Sequence, residues 1–227
     1  MKKLLISFFA VALSVGGFAQ QFNLGKVSFA TDTVWTISGN GITQIWSDAV
    51  TTTGCNKTDF NGGNRNNKVF NIDCRSNPGQ KGDLFSWRAV SELRNELCPY
   101  PWRVPTVQDF IDLDIALGGT GNGQNNFTWT DLGYQDNAHA IKYVNFWGGI
   151  FGGKCYSNGV NNYKGYWAFY WSQSESTVVL TESFVYNVCG FALVFARADN
   201  EDGYTNPQEG TNSGKDSGYS LRCVRDN

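Results

Sequence analysis

The 227-residue sequence has little charge and very little histidine or methionine: Asp, Glu, Lys and Arg make up 17%, and there is one His and one Met. Soluble domains usually carry about 25% charged residues. With 18 basic and 20 acidic residues there is no cationic excess to hold phosphates, so a nucleic-acid partner is excluded. The Ala/Glu/Lys/Leu bias of a coiled coil is missing as well. After the first 19 residues no stretch has 18 uncharged apolar residues, so the chain is read as not membrane-spanning. No Cys-x-x-Cys pair occurs and the lone histidine is His139, which argues against a zinc site and leaves a Ser-His-Asp triad with one possible base. His139, in Asp136-Asn137-Ala138-His139, reads as an exposed loop residue.

What fills the space is aromatic, glycine and amide. There are 16 Phe, 10 Tyr, 8 Trp, 26 Gly and 23 Asn. So many aromatics exclude disorder, and the length allows one sizeable core. Residues 1–19 have the form of an export signal: Lys2 and Lys3, an apolar run from Leu4 to Val15, then small Gly17 and Ala19 before a cut at Gln20. The run is short for a membrane anchor, and residues 20–227 remain as one exported domain, in the periplasm or on the outer cell surface. Export turns six cysteines into disulfide candidates, with fifteen possible pairings. The pairing advanced is Cys55–Cys74, Cys98–Cys223 and Cys155–Cys189. The first closes a Gly/Asn-rich loop and the second joins a helix end to the last strand.

Strands are expected at 27–37, 42–46 and 68–72, with a turn at Gly39-Asn40-Gly41. Trp87, Val90, Leu93 and Leu97 share one face of a helix that Pro99 and Pro101 end. A second helix starts at Thr106, capped with Asp109 three residues on, and stops at Gly118-Gly119. Its Asp109, Asp112 and Asp114 read as a solvated face. Residues 120–165 read as irregular, 166–172, 177–188, 190–197 and 217–225 as strands, and 199–216 as a polar loop. Strands at both ends, two helices and a long middle region indicate a single α+β domain. The Gly-rich runs lack the Gly-Lys-Ser/Thr of a phosphate loop.

From Gly82 to Leu113 the sequence reads GDLFSWRAVSELRNELCPYPWRVPTVQDFIDL. With Tyr170-Trp171-Ser172-Gln173-Ser174-Glu175 and the closing Ser220-Leu221-Arg222-Cys223-Val224-Arg225-Asp226, it resembles the Fibrobacter succinogenes major paralogous domain family across about residues 30–226. Pro101 stands where that family usually has Gly. The resemblance implies a C-type-lectin-like fold, related to that of the formylglycine-generating enzyme, with paired terminal strands. It implies no established activity. Asp32-Thr33-Val34 is similar to an O-glycosylation site used by exported proteins of bacteria that carry this family, which makes Thr33 a candidate.

Three functional classes remain. The leading one is a non-enzymatic binding or adhesion module that presents loops to a glycan or an envelope protein. The others are an accessory subunit of a surface complex and an enzyme on a formylglycine-generating-like scaffold. That enzyme would need unpaired thiols, which the expected pairing leaves none of. No cofactor is expected, apart from a structural Ca²⁺ for which Asp199, Glu201 and Asp202 offer hard oxygen ligands. A solvated polar loop is the competing reading of those residues. Carboxylates such as Asp199 and Asp202 would serve glycoside hydrolysis only if spaced across a sugar. Trp129, Trp147, Tyr163, Trp167 and Tyr204 sit among Gly and Asn, and Trp129, Trp147, Tyr163 and Tyr204 are the candidates for a recognition surface, since rigid aromatics bury area at low entropic cost. Trp35, Trp46, Trp87, Trp102 and Trp171 read as packing.

Overall fold

The computed structural model describes residues 22–55, 58–122, 135–181, 184–197, 202–210 and 213–226. The export signal expected at 1–19 lies outside them. The expected first strand divides into β1 (Val27–Phe29) and β2 (Trp35–Gly39), with Thr31 Oγ1 donating to Asp48 Oδ2 at the bend. Asn40 and Gly41, both at positive φ (51° and 79°), turn the chain into β3 (Ile42–Thr52). Gly39 faces Ile42 across this turn, the two-residue hairpin that Asn-Gly favours. Strand β3 runs on for eleven residues, and Trp46 pairs with Trp35 on one edge and with Val224 on the other.

A 3-10 turn at Thr53–Cys55 follows, then β4 (Gly63–Asn64), β5 (Val69–Phe70), β6 (Cys74–Ser76) and β7 (Asp83–Ser86). Ser86 caps α1 (Trp87–Glu92) by accepting from the Ala89 amide. The expected long first helix is broken at Leu93 and resumes as α2 (Arg94–Leu97), which ends at Cys98. Thr106 and Asp109 form a full capping box at α3 (Val107–Ala116). Next come β8 (Gln135–Asp136) and α4 (Asn137–Asn145). Then follow β9 (Lys154–Cys155), β10 (Asn161–Asn162), β11 (Trp167–Thr181), β12 (Phe184–Ala196), β13 (Asp202–Glu209), β14 (Gly218–Tyr219) and β15 (Arg222–Arg225).

The architecture is mixed α and β, mostly strand, with few helices and two disulfides among the described residues. One sheet sets β3 between β1 and β15, with β2 also on β3. A second runs β10-β9-β14-β7-β6, and a third β11-β12-β13-β8. Alternate residues of a strand face opposite sides, so the long β11–β12 hairpin divides two cores. Ala168, Tyr170, Leu193 and Phe195 face a cluster with Trp46, Phe110 and Trp147. Phe169, Trp171, Val194 and Ala196 face the other, with Phe85, Leu97 and Tyr219. Trp171 stacks on Tyr219 at 4.0 Å and donates from Nε1 to Phe85 O. No helix among the described residues is long and apolar enough to cross a membrane.

Several sequence expectations are corrected. A further helix, α4, lies within the stretch read as irregular, and His139 stands on it buried rather than exposed in a loop. Its Nε2 is 2.8 Å from Asp114 Oδ1, which also accepts from the Tyr143 hydroxyl at 2.6 Å. The Gly121 amide donates to Asp114 Oδ2. Asp114 is therefore the hub that joins α3 to α4, and Asp109 is buried too, so of the acidic face read as solvated only Asp112, half-buried and bonded to Gln108, stays near the surface. The stretch read as a polar loop at 199–216 contains β13, where the Asn206 amide donates to Tyr204 Oη and Glu209 Oε2. Polar side chains that satisfy one another can occupy a buried strand, and sequence polarity alone hides this.

Burial alone would raise the Asp114 carboxyl, but hydrogen bonds from His139, Tyr143 and Gly121 hold it below the usual range. Asp48 and Asp109 are lowered in the same manner, burial opposing and hydrogen bonds prevailing, whereas burial raises Asp83. A lowered folded value gives stability above the unfolded pKa of about 3.9, lost as pH falls through the folded value. Asp83 works in the opposite sense. Asp114→Asn should therefore cost about 3 kcal/mol at pH 7. In urea unfolding the deficit against wild type should begin to shrink below about pH 4, where the unfolded chain takes up the proton, and close as pH falls through the lowered folded value.

Candidate functional site

On the β11–β12 face opposite Trp147 lies a cavity of about 540 Å³. It is built from short segments of the second and third sheets. Strand β11 contributes Trp167 and Phe169, two apart and so on one side, with ring centres 6.0 Å apart and nearly parallel. Strand β13 brings Tyr204 to 5.3 Å from Trp167. Strand β14 brings Tyr219 to 5.0 Å from Phe169. Tyr163 stands at the mouth, 37% exposed, 6.0 Å from Trp167 and 6.1 Å from Phe169. Its φ is +66°, a conformation that costs a side-chain-bearing residue about 1 kcal/mol or more and clusters at functional sites. The Tyr163 amide donates to Asn162 Oδ1, which helps to hold that geometry.

Lys154 enters the cavity from β9. Gly153 precedes it at φ +68°, and a Cβ there would come within 2.2 Å of Asn162 O. Only glycine lets the two segments approach so closely, and this turn delivers the lysine. Its Nζ lies 5.0 Å from the Tyr156 and Phe169 ring centres, 5.6 Å from Tyr163 and 5.9 Å from Tyr219. Burial, reinforced by the positive charge of Arg65, lowers the ammonium to about 8, with Glu209 and Asp216 pulling the other way. Arg65 is committed elsewhere: its guanidinium holds Asp216 Oδ1 at 2.9 Å. Glu209 accepts from Tyr204 and Asn206. Ser213 Oγ and Tyr219 Oη are buried in the lining and complete no hydrogen bond with a protein partner, although the serine stands beside the phenol. Burial pushes the Tyr219 hydroxyl well above its ordinary value. A concave wall of rings with one ammonium suits an amphipathic ligand with flat apolar faces and a polar edge.

The candidates read from the sequence separate. Tyr163 and Tyr204 meet in this cavity together with Trp167. Trp147 does not: it is fully buried, edge-on to Trp46 at 5.3 Å and to Tyr170 at 4.9 Å, with the Arg222 guanidinium over it at 4.3 Å. Its Gly-rich neighbourhood, Gly148-Gly149, reflects tight packing on Trp35 and Phe195 and not a loop surface. Trp129 lies outside the described residues, as do Asp199 and Glu201; Asp202 opens β13 opposite Asp136. Among the described residues no three His, Cys, Asp or Glu side chains gather as metal ligands. Thr33 is exposed in the bend before β2. Lys154, Phe169, Glu209 and Tyr219 were not read as site residues. They come from separated segments, and the only signal in the sequence was the alternation of Trp167 and Phe169.

The structure joins Cys55 to Cys74 and Cys98 to Cys223, as read from the sequence. Such bonds persist in oxidising compartments, which points outside the cytoplasm. The third pairing is corrected. Cys155 and Cys189 are both buried thiols. Cys155 Sγ faces Arg75 Nη1 at 3.6 Å and Tyr156 O at 3.3 Å, while Cys189 bridges to Gly214 in another part of the wall. Burial raises both thiols, the reverse of the depression that activates a nucleophile.

The family model described as Fibrobacter succinogenes major domain matches residues 22–225, nearly the whole chain. Neither a curated protein nor a solved structure matches the chain.

Three outcomes follow from this geometry. Protein denatured without reductant should titrate two thiols with Ellman's reagent, and the native protein none. Tyr219→Phe should change unfolding stability by less than about 1 kcal/mol, because the hydroxyl it removes has no protein partner; Trp147→Ala should cost about 3–5 kcal/mol.

Proposed function

The chain belongs to the Fibrobacter succinogenes major domain family, and we propose from that premise that it is an exported, non-enzymatic recognition module of a bacterial cell envelope. Its ligand is a glycan, held in the cavity between Trp167, Tyr163 and Tyr204. The observation that carries this reading is the convergence of those rings around one concavity, with polar groups at its base. Sugar rings have apolar C–H faces and a hydroxyl rim, and aromatic walls with convergent polar groups complement both.

Three features support the wider reading. The two disulfides fit an extracytoplasmic setting, as does the signal-like run at 1–19. The pairing of first and last strands through β3 and β15, with two early helices and long connecting loops, fits a C-type-lectin-like arrangement. Both remaining thiols are buried and raised, which favours recognition over the formylglycine-generating type of chemistry. The alternative, an accessory subunit of a surface complex, would place a protein partner on the loops.

A glycan array probed with the signal-free protein, followed by calorimetry on the hits, tests the proposal. Tyr163→Ala and Trp167→Ala should each weaken binding about tenfold, equivalent to about 1.4 kcal/mol, without loss of the folded near-UV spectrum. Hits unaffected by either change would overturn the cavity as the site. A stoichiometric envelope protein co-purifying with a chain that binds no glycan would establish the accessory-subunit reading instead.

A further inference from the structure

Lys154 stands out among the polar groups of the cavity. Among the described residues its ammonium has neither a carboxylate at ion-pair distance nor a hydrogen-bond acceptor; it is held instead by the faces of Tyr156, Tyr163, Phe169 and Tyr219. Ring faces stabilise a cation but leave its three N–H groups without acceptors. The other charges that face it are engaged: Arg65 by Asp216, and Glu209 by Tyr204 and Asn206. Tyr219 and Ser213 also line the cavity, with their hydroxyl oxygens buried behind its surface. A ligand that closed this space with neutral groups alone would strand a desolvated charge. A dianion such as a phosphate monoester would meet one available cation and the Glu209 carboxylate. A single carboxylate matches the one ammonium.

Resting on the glycan reading above, we propose that the cavity is specific for an acidic saccharide: Lys154 receives the carboxylate of a uronic or nonulosonic acid residue. Trp167 and Tyr163 cover its ring. Lys154 is then the residue that sets specificity. The ammonium of the unliganded protein lies at about 8, for the reason already given, and a carboxylate against it raises that value. The sign follows: affinity is at its full value below about pH 8 and falls, by up to tenfold per unit, as pH rises from there towards the bound value. The titratable groups facing Lys154 across the cavity are Arg65, Glu209, Asp216, Tyr156, Tyr163 and Tyr219. The arginine stays charged over that window, and the Tyr219 phenol stays neutral.

The test uses an array of uronic-acid and nonulosonic-acid saccharides beside their methyl esters, which keep the ring and remove the charge. The free acids should bind at least tenfold tighter than the esters. Lys154→Gln should erase that preference, and Lys154→Arg should keep it while flattening the loss of affinity above pH 8. Equal binding of acid and ester by the wild-type protein overturns this inference and leaves the glycan reading intact. Absence of binding to every acidic and neutral saccharide overturns both. The comparison of acid with ester on wild type decides the matter even if the Lys154 variants fail to fold.

Discussion

The guanidinium of Arg222 is the constraint around which the domain closes. It is 1% exposed, far inside the fold, on the last strand. Its Nε donates to Ser47 O at 2.8 Å, and its two terminal nitrogens reach Ser47 O and Trp147 O. The plane lies over the Trp147 ring and beside Trp35. Burial pulls the group down to about 10, with Tyr170 and Asp48 opposing, so it stays charged at neutral pH. Burying a charge costs several kcal/mol unless every donor is met. The two carbonyls that accept from Arg222, Ser47 O and Trp147 O, are brought together by setting β15 beside β3 with the turn after α4 folded onto both. Arg222 thus acts less as net stabilisation than as a requirement that the two ends of the domain meet. Next to it the Cys223 amide donates to Ser47 Oγ, and Cys223 is bonded to Cys98 at the end of α2.

With the ends fixed, the β11–β12 hairpin becomes a rigid partition. One face packs on Trp147, Tyr143 and Phe110, which gives the hairpin a backing. The other face carries Trp167 and Phe169 into the cavity. A binding wall mounted on strands loses little entropy when a ligand arrives. The mouth is set by local devices instead: the left-handed Tyr163 and the Gly153 turn before Lys154.

The segments that resemble the family motifs build the frame rather than the site. Arg103 forks onto Asp109 at 2.7 and 2.8 Å, reaches Asp226, and bridges by its backbone to Val224. It therefore ties the cap of α3 to the closing strand. Cys98, Trp171, Arg222 and Cys223 are likewise structural. None of the residues lining the cavity lies within Gly82–Leu113, Tyr170–Glu175 or Ser220–Asp226. Family membership identifies the scaffold, and the cavity is lined by residues between the motifs.

The capping of α3, the Asn-Gly hairpin and two disulfides were legible in the sequence because each depends on short-range chemistry or on a motif. Helix α4 and strand β13 were not. Their Asn, Asp and Gln content reads as loop, and only burial against α3 and β12 makes helix and strand the better state. His139 and Asp114, 25 residues apart, reveal their pairing only when two helices dock. Tyr163 and Tyr204 were legible as aromatic candidates, while Lys154 became a site residue only when four rings from three segments surrounded it. By itself the sequence determined a charge-poor, aromatic-rich, disulfide-bearing scaffold, because composition, periodicity and capping act over a few residues. Tertiary structure decided which aromatics are core and which line the cavity. That choice depends on which side of β11 each residue occupies and on what the rest of the chain packs against it.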